Sequence, residues 1–171
     1  VGINTPESKV SSLESILVKE PFPRPYVIKP IDGGSSVGVN IINQDIDLNS
    51  IEISKSDVLI ESYIEGREIA VAVIENKILG MIEIMYPDGF YDYEAKYKSD
   101  KTQYMIPDNL NILLKKKIEK YSIAAHMALG CKGITRSDFI VSNNIAIEPT
   151  LLEINTLPGL TKHSLVPKIA K

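Results

Sequence analysis

The stretch GITRSDFIVSNNIAIEPTLLEIN, Gly133–Asn155, reads as two strands, Gly133 to Val141 and Ala146 to Asn155, turned at Asn143-Asn144. In a strand, residues two apart face the same side. Arg136 and Asp138 therefore share a face of one strand, and Glu153 and Asn155 share a face of the other. Oxygen donors of Asp, Glu and Asn on one face suit Mg²⁺, which prefers hard ligands and bridges nucleotide phosphates. A guanidinium beside them could neutralise charge developing on a phosphoryl group. Singly, each residue is equally well explained as a solvated side chain on an outer face. Four of them on adjacent strands, with Leu152 and Ile154 facing inward, favour a site.

Outward from this hairpin, Asn109 is a candidate N-cap for a helix to about Leu129, with Leu113, Ile118, Ala125 and Met127 for its buried side. Gly130 stops it. His126 in that helix reads as structural, and Cys131 as a small buried hydrophobe. Upstream, Ile69, Val71 and Val73 alternate with smaller residues, Asn76-Lys77 turns, and Ile78 to Met85 alternates again, which makes a hairpin. Residues 86–107 read as a long loop. Its Tyr91-Asp92-Tyr93-Glu94-Ala95-Lys96-Tyr97 run suits a lid over a site, or else an adhesive surface loop.

In the N-terminal third, Glu7 to Lys19 is expected to form a short helix, with Leu13, Ile16 and Leu17 on one face. Pro21, Pro23 and Pro25 enforce an extended entry. Tyr26-Val27-Ile28 reads as a strand ending at Lys29-Pro30, Val39 to Ile42 as its return strand, and Val58 to Ile64 as another. Strands dominate and one long helix covers them, so the expected class is α+β with antiparallel sheets. A division is expected at the Gly66 turn, between domains 1–66 and 67–171. Gly33-Gly34-Ser35-Ser36-Val37-Gly38, after Lys29, is a concavity whose backbone N–H groups and hydroxyls suit phosphate oxygens. It lacks the Gly-Lys-Ser/Thr ending of a P-loop, and a flexible hairpin turn is the lesser alternative.

Composition narrows the function. The 171 residues carry 19 Lys plus Arg against 22 Asp plus Glu, a net charge of −3, which disfavours a nucleic-acid binder. One cysteine excludes an internal disulfide framework and a multi-cysteine zinc site. No apolar run approaches the roughly 20 residues of a membrane span, so neither nucleic acid nor membrane is an expected partner. A cytoplasmic setting is expected. The chain starts at Val1 without Met and is read as a piece of a longer protein.

Taken in order, Lys29-Pro30 with Gly34-Ser35-Ser36-Val37-Gly38, Glu61 to Glu68, Phe90 to Tyr97, Arg136-Ser137-Asp138-Phe139, and Glu153-Ile154-Asn155-Thr156-Leu157-Pro158-Gly159-Leu160-Thr161 through His163-Ser164-Leu165 resemble the D-alanine–D-alanine ligase family of the ATP-grasp fold. The resemblance runs from about Gly2 to Ala170. Ser137 and Ile154 depart mildly from the family pattern. The resemblance implies two small antiparallel-sheet subdomains with covering helices and a nucleotide site between them. It implies ATP as substrate, two Mg²⁺ or Mn²⁺ ions, and D-alanine ligated to D-alanyl-D-alanine for peptidoglycan precursors, in a homodimer. By the same resemblance Lys29 binds α/β-phosphate oxygens, Ser35 and Ser36 close over the γ-phosphate, and Lys96 reaches the transferred phosphate. Glu61 accepts from the adenine amine and Glu68 from ribose hydroxyls. Asp138, Glu153 and Asn155 hold the metal ions, and Arg136 stabilises the acyl phosphate. Gly159, Ser164 and Leu165 belong to the second D-alanine site, and Ser35 and Tyr97 link the phosphate loop to the lid. The family's N-terminal domain, which holds the first D-alanine, has no counterpart in these residues, so the isolated chain is not expected to make the dipeptide. The alternatives are a ligase joining D-alanine to another partner such as D-lactate, against which Tyr97 speaks by resemblance, and a non-catalytic nucleotide-binding relative.

Overall fold

A computed structural model of the chain describes residues 2–33, 36–51, 57–86, 102–142, 144 and 146–171. Ser35, Lys96, Tyr97 and the expected lid run Tyr91–Tyr97 lie outside these residues, as does Asn143 of the expected turn. The described residues form two compact units.

The first unit is Pro6–Ile64. It contains β1 (Ser8–Ser12), α1 (Leu13–Val18), β2 (Tyr26–Pro30), β3 (Asn40–Ile42) and β4 (Asp57–Ser62). The antiparallel sheet runs β1-β4-β2-β3. Period-two alternation puts Tyr26, Ile28, Val58 and Ile60 on one buried face with Ile16, Ile42 and Leu48. Burial in that cluster pushes the Tyr26 phenol well above its ordinary range. The expected helix from Glu7 is only half right. Ser8–Ser12 is a strand paired to Glu61–Asp57 of β4, and Ser12 caps a six-residue helix by accepting from Ser15 N at 3.2 Å. Serines and the β-branched Val10 form helix poorly, and pairing to β4 satisfies their backbone instead. Of α1, only Ile16 is buried and Leu17 is exposed.

The second unit is Glu65–Met85 and Thr102–Lys171, joined by the chain before Pro6. It contains β5 (Arg67–Ile74), β6 (Lys77–Met85), β7 (Gln103–Met105), α2 (Ile112–Ala128), β8 (Ile134–Val141), β9 (Thr150–Asn155) and α3 (Leu165–Ile169). Its antiparallel sheet runs β7-β6-β5-β8-β9. Glu75 and Asn76, at φ 47° and 64°, make the tight turn between β5 and β6. Ile69, Val71, Met81, Phe139 and Val141 form the core with Leu110, Leu114 and Ile118. The shorter α3 lies on the opposite face of the sheet, with Ile169 over Gly80. A Cβ at Gly80 would stand 2.9 Å from the Ile169 side chain, so this approach needs glycine.

Several expectations change here. α2 starts from Asn111, whose side chain accepts from Leu113 N at 2.9 Å, while Asn109 instead accepts from Arg67 at 2.6 Å. Its buried residues are Leu114, Ile118, Ser122, Ala125 and His126, whereas Leu113 and Met127 are exposed. Apolar residues occur nearly all round this helix, so packing rather than periodicity selects the inner stripe. His126 is structural as expected: its Nδ1 lies 2.8 Å from Thr135 Oγ1. Gln103–Met105, inside the expected loop, is an edge strand paired to Met85–Glu83. A bulge between Asp138 and Phe139 sets Phe139 opposite Leu151. Leu151, not Leu152, therefore packs against the core.

Candidate functional site

Arg136 and Asp138 lie on β8, with Asn155 and Glu153 directly opposite them on β9. On the other flank, β5 presents Ala72 beside Arg136 and Ala70 beside Asp138. Small residues there leave the space above the sheet to the long side chains. Arg136 grips Asp138 bidentately, Nε to Oδ1 at 2.8 Å and Nη2 to Oδ2 at 2.8 Å. The same Nη2 stands 3.7 Å from Glu153 Oε1. The Asp138 side chain is 9% exposed and that of Glu153 57%, so one carboxylate is buried and the other faces solvent.

These residues fit a hard divalent cation. The donors are all oxygens, on adjacent strands of one face. Among the described residues no three His, Cys, Asp or Glu gather into a metal cluster; the third oxygen here is the amide of Asn155. That oxygen accepts from Leu157 N at 3.3 Å, which bends the chain out of β9 into the following loop.

The loop ends at Ser164, which precedes α3. Ser164 Oγ accepts from Thr161 N at 3.2 Å and lies 3.0 Å from Thr161 Oγ1, while Ser164 N donates to Thr161 O at 2.9 Å. A Cβ at Gly159 would stand 2.6 Å from Ser164 Oγ, so glycine there lets the two ends of the loop close on each other. The Leu165 side chain is buried in the fold at the start of α3. His163 is exposed.

In the first unit, Lys29 and Glu61 meet. Lys29 on β2 faces Leu59, and Val27 faces Glu61, so both ions lie on the face away from the buried cluster. Lys29 Nζ is 2.6 Å from Glu61 Oε2, both half-buried. The resemblance gives Lys29 the α/β-phosphates and Glu61 the adenine amine; their direct pairing depends on the β2–β4 register. Ser36 has a positive φ of 58° and its carbonyl accepts from Val39 N at 3.3 Å, a tight turn before β3. Glu68 lies on β5, opposite Ile84 and Ile140, in the second unit with the β8 and β9 residues.

Sequence reasoning took Thr161 only as part of a motif, without a role, and passed over Tyr104 and Lys168. A Thr three residues before Ser164 was the available sign for the first. The contact of the Lys168 ammonium, 3.4 Å over the Tyr104 ring, had no local sign.

The chain matches, over residues 4–171, the family described as D-ala D-ala ligase C-terminus. It is 45% identical over 174 residues to a D-alanine–D-alanine ligase of Pelagibacter ubique, covering 100% of this chain and 56% of that protein. A D-alanine–D-alanine ligase structure from Bacillus anthracis, complexed with ATP, superposes at a TM-score of 0.75 with 32% identity, over 99% of this chain and 55% of that one. The VanG D-Ala:D-Ser ligase from Enterococcus faecalis superposes at 0.78 with 28% identity, over 99% and 52%. The chain spans about half the length of the curated relatives it matches.

Proposed function

The chain belongs to the D-alanine–D-alanine ligase C-terminal family, with its α+β ATP-grasp fold, and from that premise we propose that it carries the nucleotide and metal residues of an ATP-dependent D-alanine–D-alanine ligase. In the proposed reaction a carboxylate oxygen of one D-alanine attacks the γ-phosphorus of ATP and ADP leaves. The amine of a second D-alanine attacks the resulting acyl phosphate, phosphate leaves, and the amine's proton is lost to solvent. Both steps gather negative charge on oxygens, so the site must supply cations and aligned donors.

The observation that carries this reading is the register of β8 and β9, which puts Asp138 against Glu153 and Arg136 against Asn155. Asp138, Glu153 and Asn155 would hold two Mg²⁺ or Mn²⁺ ions. Such ions would offset the negative charge of the phosphates. Arg136, already held by Asp138, would face the acyl phosphate and the tetrahedral state with a fixed guanidinium. Lys29 and Ser36 would bind phosphate oxygens, Glu61 the adenine amine and Glu68 the ribose. Ser35, Lys96 and Tyr97 keep by resemblance the phosphate-loop and lid roles. Ser164 Oγ and the Leu165 N–H would receive the second D-alanine carboxylate beside Gly159. No helix among the described residues is long and apolar enough to cross a membrane. A homodimer making cell-wall precursors in the cytoplasm is the setting this reading favours.

The test is phosphate release by the complete enzyme with ATP, Mg²⁺ and, in turn, D-alanine, D-serine and D-lactate. Release driven by D-alanine alone, with D-alanyl-D-alanine as product, is expected. Release that requires D-lactate or D-serine as second substrate moves the protein to a neighbouring specificity. ATP binding without release under any condition overturns the catalytic reading.

A further inference from the structure

The loop from Thr156 to Ser164 is tied within itself by the Thr161–Ser164 bonds, but its position against the sheet depends on its two ends. One end is Asn155 on β9. The other is α3, a helix of five residues, too short to hold itself without tertiary anchors. Leu165 and Val166 are buried, Ile169 rests on Gly80 of β6, and Lys168 reaches on to Tyr104 of β7. β7 is itself a three-residue edge strand, with Tyr104 opposite Ile84. The ammonium at 3.4 Å from the ring centroid is within cation–π range. It spans from the helix that ends the loop to the edge of the sheet farthest from β9.

We infer that Lys168, by its hold on Tyr104, is a positioning residue for the Gly159–Ser164 loop and so for the carboxylate of the second D-alanine. This rests on the proposed ligase reading, which places that carboxylate at Ser164 and Leu165. The apolar anchors keep α3 folded without Lys168. The cation on Tyr104 sets where along the sheet the helix, and with it Ser164, comes to rest. Lys168 does not touch substrate in this reading; it acts through the helix.

The experiment uses the complete enzyme with Lys168→Met, Lys168→Arg, Tyr104→Leu and Tyr104→Phe. Lys168→Met and Tyr104→Leu should each raise the KM for D-alanine at the second site by about three- to tenfold, the span a contact of this kind supports. The KM for ATP should stay unchanged, and the Arg and Phe variants should behave as wild type. The Lys168→Met/Tyr104→Leu double variant should be no worse than either single one, because both remove the same contact. Tyr104→Leu keeps the lysine, and so separates this contact from the charge that Lys168 lends to the helix C-terminus. Hydrogen exchange at the Ser164 and Ala170 amides, bonded to Thr161 O and Val166 O, should quicken in the Met and Leu variants. An unchanged D-alanine KM, or a KM for ATP that rises in parallel, overturns the inference. Should wild type release no D-alanine-dependent phosphate, the ligase reading fails. Exchange then decides whether Lys168 positions the loop: faster exchange upholds that role and unchanged exchange overturns it.

Discussion

Each sheet carries a cation–carboxylate pair on the face away from its main core, and the two pairs are built differently. In the first unit Lys29 and Glu61 sit on different strands and meet through one contact of 2.6 Å, with side chains 24% and 12% exposed. In the second, Arg136 and Asp138 sit two apart on one strand, joined by a two-pronged grip that leaves 13% and 9% exposed. A lysine on a flexible stem is a point charge that can be re-aimed at a ligand, whereas a guanidinium fork held at two points keeps its direction. Under the proposed reading, the first pair suits a group that must exchange a carboxylate for phosphate oxygens when a nucleotide arrives. The second suits a group that must already point correctly when charge develops.

The sharpest way to break this contrast is Arg136→Lys in the complete enzyme. The charge remains but the fork is lost, and kcat should fall by about 10²–10³-fold, the range for one donor at a charge-stabilising site. The KM for ATP should move far less. A kcat near wild type would show that only charge matters at this position. Smaller, but in stability rather than rate, is the comparison of Asp138→Ala with Glu61→Ala. The first removes the bidentate partner of a nearly buried guanidinium, which keeps its 3.7 Å contact with Glu153, and should cost about 2 kcal/mol in urea unfolding. The second frees a lysine that can reach water and should cost under about 1 kcal/mol. Equal losses would erase the distinction between the pairs.

The smallest expected effect concerns acid. In the first unit the Arg24 guanidinium, bonded to Glu20 at 2.8 Å, also donates to the carbonyls of Asn43 and Ile46. Its hydrogen bond holds the Glu20 carboxyl below the ordinary 4.5. Because the folded value is the lower one, this stabilisation is full above 4.5 and is lost as pH falls through the folded value. Urea midpoints measured from about pH 5 down to about pH 3 should fall less steeply in Glu20→Gln than in wild type. Identical slopes would mean that other carboxylates dominate the acid limb.

Most strands were legible because short apolar and β-branched runs between turn residues announce themselves without knowledge of neighbours: Tyr26–Pro30, Arg67–Ile74 and Ile134–Val141 lie where those runs put them. Ser8–Ser12 was not, because its pairing to β4 spans the unit and nothing in five mostly polar residues announces it. The inner face of α2 was misread at Leu113 and Met127 because apolar residues lie on several sides of that helix. Leu152 was misread because one extra residue at a bulge exchanges the faces of the strand beyond it.

The grouping of side chains at Asp138 was therefore inherent in the sequence. Side chains two apart on an unbroken stretch of strand point the same way, so Arg136 with Asp138, and Glu153 with Asn155, each pair lying on one side of the bulge, were bound to share faces. Which strand lies beside which was left to the tertiary structure. The orders β1-β4-β2-β3 and β7-β6-β5-β8-β9 bring Glu61 to Lys29 and turn β9 toward β8. The packing of α3 across the second sheet brings Lys168 to Tyr104. Such neighbours are chosen by the burial of whole faces and the pairing of all backbone groups at once, and no short run of residues contains that information.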